Sequence, residues 1–97
     1  MNREDNIRKF RVLEIVDLAL RINGLEGTYE ASEEKHTTIF ADIAGHVGTI
    51  RVRVYENGWD DDADPDIVME AHLDNGRELE VIADTLLKVL AQKEKLL

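Results

Sequence analysis

The feature that most constrains this chain is a double change of hydrophobic period. Apolar residues recur at three- and four-residue intervals through residues 10–22, alternate with polar ones between 37 and 73, and return to helical spacing through 79–90. A helical pattern laid out as a strand would scatter its apolar side chains over both faces, and the converse also holds. The element order is therefore α, β, β, β, α.

The first segment predicts a helix over about residues 4–22. Phe10, Leu13, Val16 (with Asp17 on the flank) and Leu20 form one strip, and Val12, Ile15, Ala19 and Ile22 adjoin it. So wide an apolar surface predicts a well-buried helix. Asn23-Gly24 supplies its stop, because glycine closes helices at little steric cost. Residues 25–36 lack periodicity and read as a connecting loop with a short extended piece near 28–31.

From Thr37 the residues become β-branched and aromatic, which predicts a strand with Ile39 and Ile43 on one face and Phe40 on the other. Gly45-His46-Val47-Gly48 offers two glycines for a turn. Ile50, Val52 and Val54 then alternate with Arg51, Arg53 and Tyr55, giving the second strand of a hairpin. Asn57-Gly58 ends that strand. Beyond an acidic loop, Ile67, Met69, Ala71 and Leu73 alternate with Val68, Glu70 and His72 as a third antiparallel strand. A second helix over about 76–93 carries Leu79, Ile82, Ala83, Leu86, Val89 and Leu90 on one face. Asn75 and Glu78 have capping-box spacing at its start, with Asp74 as an alternative cap.

These elements bury most if they form a two-layer α+β domain, with both helices packed on one face of a three-stranded antiparallel sheet. At 97 residues the chain has room for a single core, so residues 1–97 read as one domain. The other sheet face displays Thr38, Phe40, Arg51, Arg53, Tyr55, Val68, Glu70 and His72, a mixture that suits solvent, a partner or a homodimer.

Composition excludes several classes. With no cysteine there is no disulfide framework, thiolate metal site or cysteine nucleophile. No apolar run approaches the roughly 18 residues of a membrane span, and the charged residues 1–11 lead into no signal-peptide core, so a cytoplasmic protein is expected. The net charge of -9 is unevenly placed: residues 1–25 carry +1 and residues 77–97 are neutral. The centre, 26–76, sets thirteen acidic residues against Lys35, Arg51 and Arg53.

That acidity peaks at residues 56–66, where Glu56, Asp60, Asp61, Asp62, Asp64 and Asp66 surround the only tryptophan, Trp59, and the only proline, Pro65. Asp60, Asp62 and Asp64 occupy the first, third and fifth positions of an EF-hand calcium loop. Position six is then proline instead of glycine, and position twelve is Ala71 instead of a bidentate glutamate. A solvated acidic loop is the simpler reading, with Trp59 as a lid on the edge of the core. His36, His46 and His72 have no zinc-motif spacing. Ser32 and Thr37, near Glu33, Glu34 and His36, sit in no nucleophile motif. No metal, cofactor or catalytic residue is expected, and the chain does not read as an enzyme.

The element order is also that of the double-stranded RNA-binding domain. That family grips phosphates with a lysine-rich start to its second helix, where this chain has Arg77, Glu78, Leu79 and Glu80. Arg3, Arg8, Lys9 and Arg11 read as a solvated helix face. The acidic centre opposes nucleic acid and favours a basic protein partner.

The segment Ile39-Phe40-Ala41-Asp42-Ile43-Ala44-Gly45-His46-Val47-Gly48, continuing through Val54-Tyr55-Glu56-Asn57-Gly58-Trp59, resembles small uncharacterised proteins of phages and prophages of Gram-positive bacteria. The resemblance covers about twenty residues and implies an accessory protein of a mobile element with no assigned chemistry. The expectation is thus a small acidic binding protein, acting through protein contacts. Two alternatives are a DNA mimic that inhibits a host nucleic-acid-binding protein and a calcium-binding or metal-dependent enzyme fragment. The partner-binding candidates are Glu56, Trp59, Asp60, Asp61, Asp62, Asp64 and Asp66 on the loop, with Arg51, Arg53, Tyr55 and His72 on the open sheet face.

Overall fold

The computed structural model describes residues 2–24 and 36–95, so the loop expected over 25–36, its extended piece, and Ser32 lie outside the described residues except for His36. The order is α1 (Arg3–Asn23), β1 (Thr38–Ala44), β2 (Thr49–Tyr55), β3 (Ile67–His72) and α2 (Gly76–Lys95). The strands lie in the order β1-β2-β3 with both pairs antiparallel. The expected α+β fold is present.

Helix α1 starts where the Asn2 side chain accepts from the Asp5 N–H at 2.8 Å, with Glu4 and Asp5 set against the positive end of the helix dipole. It stops at Gly24, whose φ of 82° and ψ of 174° fall outside the left-handed helical basin, in a region open essentially to glycine alone. Lys93 of α2 donates to the Ile22 carbonyl, satisfying an acceptor that the end of α1 leaves open. The C-terminal halves of the helices therefore meet, and α1 and α2 run in the same direction. The Asn23 amide bonds both backbone groups of Ile39, tying α1 to β1.

Strand β2 is central, and Ile50, Val52 and Val54 on its helix-facing side are fully buried. In register, Ile39, Val54 and Ile67 form one row on the helix-facing side, Ala41, Val52 and Met69 the next, and Ile43, Ile50 and Ala71 the third, with Ala41 and Ile43 on the edge strand left exposed. Onto these rows pack Ile15, Leu18, Ala19 and Ile22 from α1 and Leu79, Ile82, Ala83, Leu86 and Val89 from α2. Each large aliphatic side chain in that set contributes about 1.5–3 kcal/mol through burial. The hairpin turn closes with the Gly48 N–H on the Ala44 carbonyl at 2.9 Å, and only Gly48 of its two glycines has a positive φ, 66°.

The start of α2 follows the capping box only in part. Asn75, not Asp74, accepts from the Glu78 N–H at 3.1 Å. The Glu78 carboxylate reaches past the cap to the His72 N–H at 3.2 Å and the His72 Nδ1 at 3.1 Å. It thereby clamps the end of β3 to the first turn of α2.

One expectation fails. Helix α1 is not buried through its whole apolar surface, because the core takes the strip containing Ile15 and Ile22 and leaves the other in solvent. Phe10 is 67% exposed, Leu13 50% and Leu20 46%, and Ile7 adds a further half-exposed side chain. The sheet and α2 between them cover one side of the helix, and a two-layer domain offers nothing for the other.

Candidate interaction site

The acidic loop is built by its own aspartates. Asp60 accepts from the Asp62 N–H at 2.8 Å, and its carbonyl accepts from the Ala63 N–H at 3.1 Å, which makes a tight turn at the loop tip. At the base, the Asp66 carboxylate accepts from the Glu56 N–H at 2.7 Å while the Asp66 N–H donates to the Val54 carbonyl at 2.8 Å. Two of the five aspartates thus fix the loop's shape. Asp61, Asp62 and Asp64 carry exposed carboxylates, and no salt bridge joins them to a cation among the described residues.

Trp59 stands at the foot of this loop, 50% exposed. It rests on the open face of the sheet, with its ring centroid 6.1 Å from that of Phe40, and is not a lid on the helix-side core. Phe40 in turn packs edge-on against Tyr55 at 5.6 Å and lies 4.8 Å beneath the Arg53 guanidinium. These contacts correct the expectation for Tyr55, which belongs to the open face by register but is only 4% exposed and presents no ring to a partner. Arg53 is half-committed as well, stacked on Phe40 and 3.5 Å from Asp42. Its Nε is shut off from solvent without a hydrogen-bond partner among the described residues, so packing more than hydrogen bonding fixes the stack.

The remaining sheet-face candidates separate along the strands. Arg51 is exposed and pairs in register with Asp42 on one side and Glu70 on the other. His72 lies at the far end of β3, held by Glu78, so it does not join the loop. The Glu78 carboxyl is held below the usual carboxylate range, first by the His72 backbone N–H and then by the His72 ring. The structure therefore brings together Glu56, Trp59, Asp60, Asp61, Asp62, Asp64 and Asp66 at one end of β2, and Arg53 approaches them through Phe40.

His36 precedes β1, His46 lies in the hairpin turn and His72 ends β3. Among the described residues no three His, Cys, Asp or Glu side chains are grouped to hold a metal ion, and the Asp60, Asp62 and Asp64 series forms no cage. Thr37, the described hydroxyl of the pair considered as nucleophiles, donates to the Glu56 carbonyl at 3.0 Å and anchors the start of β1. Among the described residues no helix is long and apolar enough to cross a membrane.

A second surface escaped the sequence reading. Val12, Leu13, Ile43 and Leu73 floor an open groove of about 480 Å³, with Asp5, Arg8, Lys9 and Asp74 at its rim. Ile43 shares the helix-facing side of β1 with Ile39. It is nevertheless 56% exposed, because it belongs to this groove instead of the core. The only sequence sign of the groove was the excess of apolar residues around α1.

No protein-family model, curated protein or solved structure matches this chain.

Proposed function

We propose that this protein is a non-enzymatic binding protein that engages a basic surface of a protein partner through its acidic loop. The reading rests on one observation: Asp61, Asp62 and Asp64 project, without a counter-ion among the described residues, from a loop fixed by Asp60 and Asp66, beside the half-exposed Trp59. A loop backbone fixed before binding leaves only the aspartate side chains to be ordered on contact, and their field speeds the approach of a cationic partner. Trp59 adds a flat apolar surface on which a lysine or arginine side chain can stack. The residues that resemble small phage-encoded proteins, 39–48 and 54–59, take in most of β1, the hairpin turn, the end of β2 and Trp59, and an accessory role in a mobile element accords with an interaction surface of this kind.

The test compares affinity capture by wild-type protein, by Asp61→Asn/Asp62→Asn/Asp64→Asn, and by Glu4→Gln/Asp17→Asn/Asp84→Asn, which removes equal charge elsewhere. A partner held by the wild type and the control but lost from the loop variant supports the proposal. A partner held equally by all three contradicts it. Displacement of that partner from its own DNA or RNA would assign the narrower role of nucleic-acid mimic.

A further inference from the structure

We propose that the outer edge of β1 takes an extended segment of another protein as a fourth strand, with apolar, basic and apolar residues set opposite Ala41, Asp42 and Ile43. This goes beyond the acidic-loop reading and does not depend on it.

The edge is open past its first residues. Asn23 bonds the Ile39 N–H and carbonyl on the side away from β2, which shows where the alternate backbone groups of β1 point. In an antiparallel pair that direction repeats at every second residue, so the N–H and carbonyl groups of Ala41 and Ile43 also face outward. Both residues are exposed, and no hydrogen bond from the described residues reaches these outward groups. Such groups are what an added strand pairs with.

Helix α1 supplies a wall for that strand. Leu13, Val16, Leu20 and Asn23 recur at three- and four-residue spacing along one flank. Asn23 meets Ile39 at one end, and Leu13 lines a groove with Ile43 at the other. From Leu13 to Asn23 the helix rises about 15 Å, and from Ile43 to Ile39 the strand covers about 13 Å, so the flank follows the edge. Leu13 and Leu20 stand half-exposed above it. Width explains their exposure: two helices each about 10 Å across cover roughly 20 Å, whereas three strands about 4.8 Å apart fill only about 14 Å. The sheet is one strand narrower than its helical layer.

Charge selects what the strand carries. On the open face Glu70, Arg51 and Asp42 stand in register and alternate in sign, so the next position outward favours a cation. Asp42 is largely exposed, and its contact with Arg53 is 3.5 Å long. On the helix-facing side the rows that end in Ala41 and Ile43 are apolar, which calls for apolar residues on either side of that cation. A second copy of β1 is disfavoured. The antiparallel register that pairs both Ala41 and Ile43 with their counterparts sets Asp42 directly against Asp42.

Amide hydrogen exchange followed by NMR, with an alternating valine–lysine peptide as the probe, tests the proposal. In the free protein the Ile39 amide should exchange slowly, held by Asn23, and those of Ala41 and Ile43 fast. Peptide at about ten times its dissociation constant should slow both at least about tenfold. A peptide of the same composition, with its valines and lysines in separate blocks, should leave them fast. Ala41→Pro deletes an outward N–H that β2 does not use, and should abolish the protection at Ile43 while circular dichroism finds the variant folded. Asp42→Lys gives a second readout if Ala41→Pro unfolds, since it should transfer the protection to an alternating valine–glutamate peptide. The loop variant Asp61→Asn/Asp62→Asn/Asp64→Asn should keep the protection, which separates this result from the partner-capture result. Amides of Ala41 and Ile43 that stay fast with the alternating peptide, or slow equally with the block peptide, overturn the proposal. So does protection that survives both Ala41→Pro and Asp42→Lys. Amides already slow without peptide also overturn it, and slowing that grows with protein concentration would assign the edge to a second copy.

Discussion

The Asn23 side chain makes both hydrogen bonds that a neighbouring strand would make to Ile39: its Oδ1 accepts the Ile39 N–H at 2.7 Å and its Nδ2 donates to the Ile39 carbonyl at 2.9 Å. Strand β1 is an edge, and both of these backbone groups face away from β2. One amide thus stands in for one residue of a fourth strand and blocks part of the edge.

Asn23→Ala removes both bonds and leaves a part-buried donor and acceptor unpaired, so it should cost about 2 kcal/mol in urea unfolding. Asn23→Asp keeps the acceptor but sets a carboxylate against the Ile39 carbonyl, and should lose more than half of that amount. Equal stability for Asn23→Ala and the wild type would show that the clamp contributes nothing.

The two glycines of the β1-β2 turn should respond differently to alanine. Gly48 has a φ of 66°, so Gly48→Ala is expected to cost about 1–2 kcal/mol. A Cβ at Gly45 meets nothing within 4 Å and no positive φ, so Gly45→Ala should stay within about 0.5 kcal/mol of the wild type. Thermal melts of the two variants check the contrast, and equal losses would contradict the turn geometry.

Acid should act through Glu78. Its carboxyl is held below the ordinary value of 4.5 by the His72 backbone N–H first and the His72 ring second. A depressed folded value means that the unfolded chain takes up the proton first. The contribution is therefore complete above about pH 4.5 and is lost as pH falls through the lowered folded value. Glu78→Gln should flatten the decline of stability in that acidic window relative to the wild type. Parallel pH profiles would remove Glu78 from the acid response.

Within the acidic loop, structure and function should separate. Asp66→Ala breaks the bond to the Glu56 N–H and should cost about 1 kcal/mol. Asp61→Asn and Asp64→Asn relieve like-charge repulsion on exposed side chains and should be neutral or slightly stabilising. Chemical denaturation of the three single variants checks this order. A larger loss at Asp61 or Asp64 than at Asp66 would contradict the loop's construction.

How far the sequence could be read depended on whether the signals were local. The alternation of Ile50, Val52 and Val54 specified β2 and its buried face, and the helical spacing of Leu79, Ile82 and Leu86 specified α2. Asn23-Gly24 ended α1 as expected, but the bond from Asn23 to Ile39 spans sixteen residues and has no local sign. Two apolar strips on α1 left periodicity unable to choose between them, and the fit against the sheet and α2 made the choice. Tyr55 looked like an exposed alternate on β2, and its burial depends on Phe40 from another strand. In the acidic loop, composition marked the segment, yet only the fold separates Asp60 and Asp66, which hold backbone groups, from Asp61 and Asp64, which do not.

Trp59 gives the most direct test of the central claim, because it is the only tryptophan and stands at the foot of the acidic loop. Its fluorescence can be followed during titration with an arginine-rich peptide at physiological salt, alongside an uncharged peptide of equal length. The account predicts a saturable change with the arginine-rich peptide, abolished in Asp61→Asn/Asp62→Asn/Asp64→Asn and retained in Glu4→Gln/Asp17→Asn/Asp84→Asn. A flat titration, or equal weakening in both variants, would contradict it.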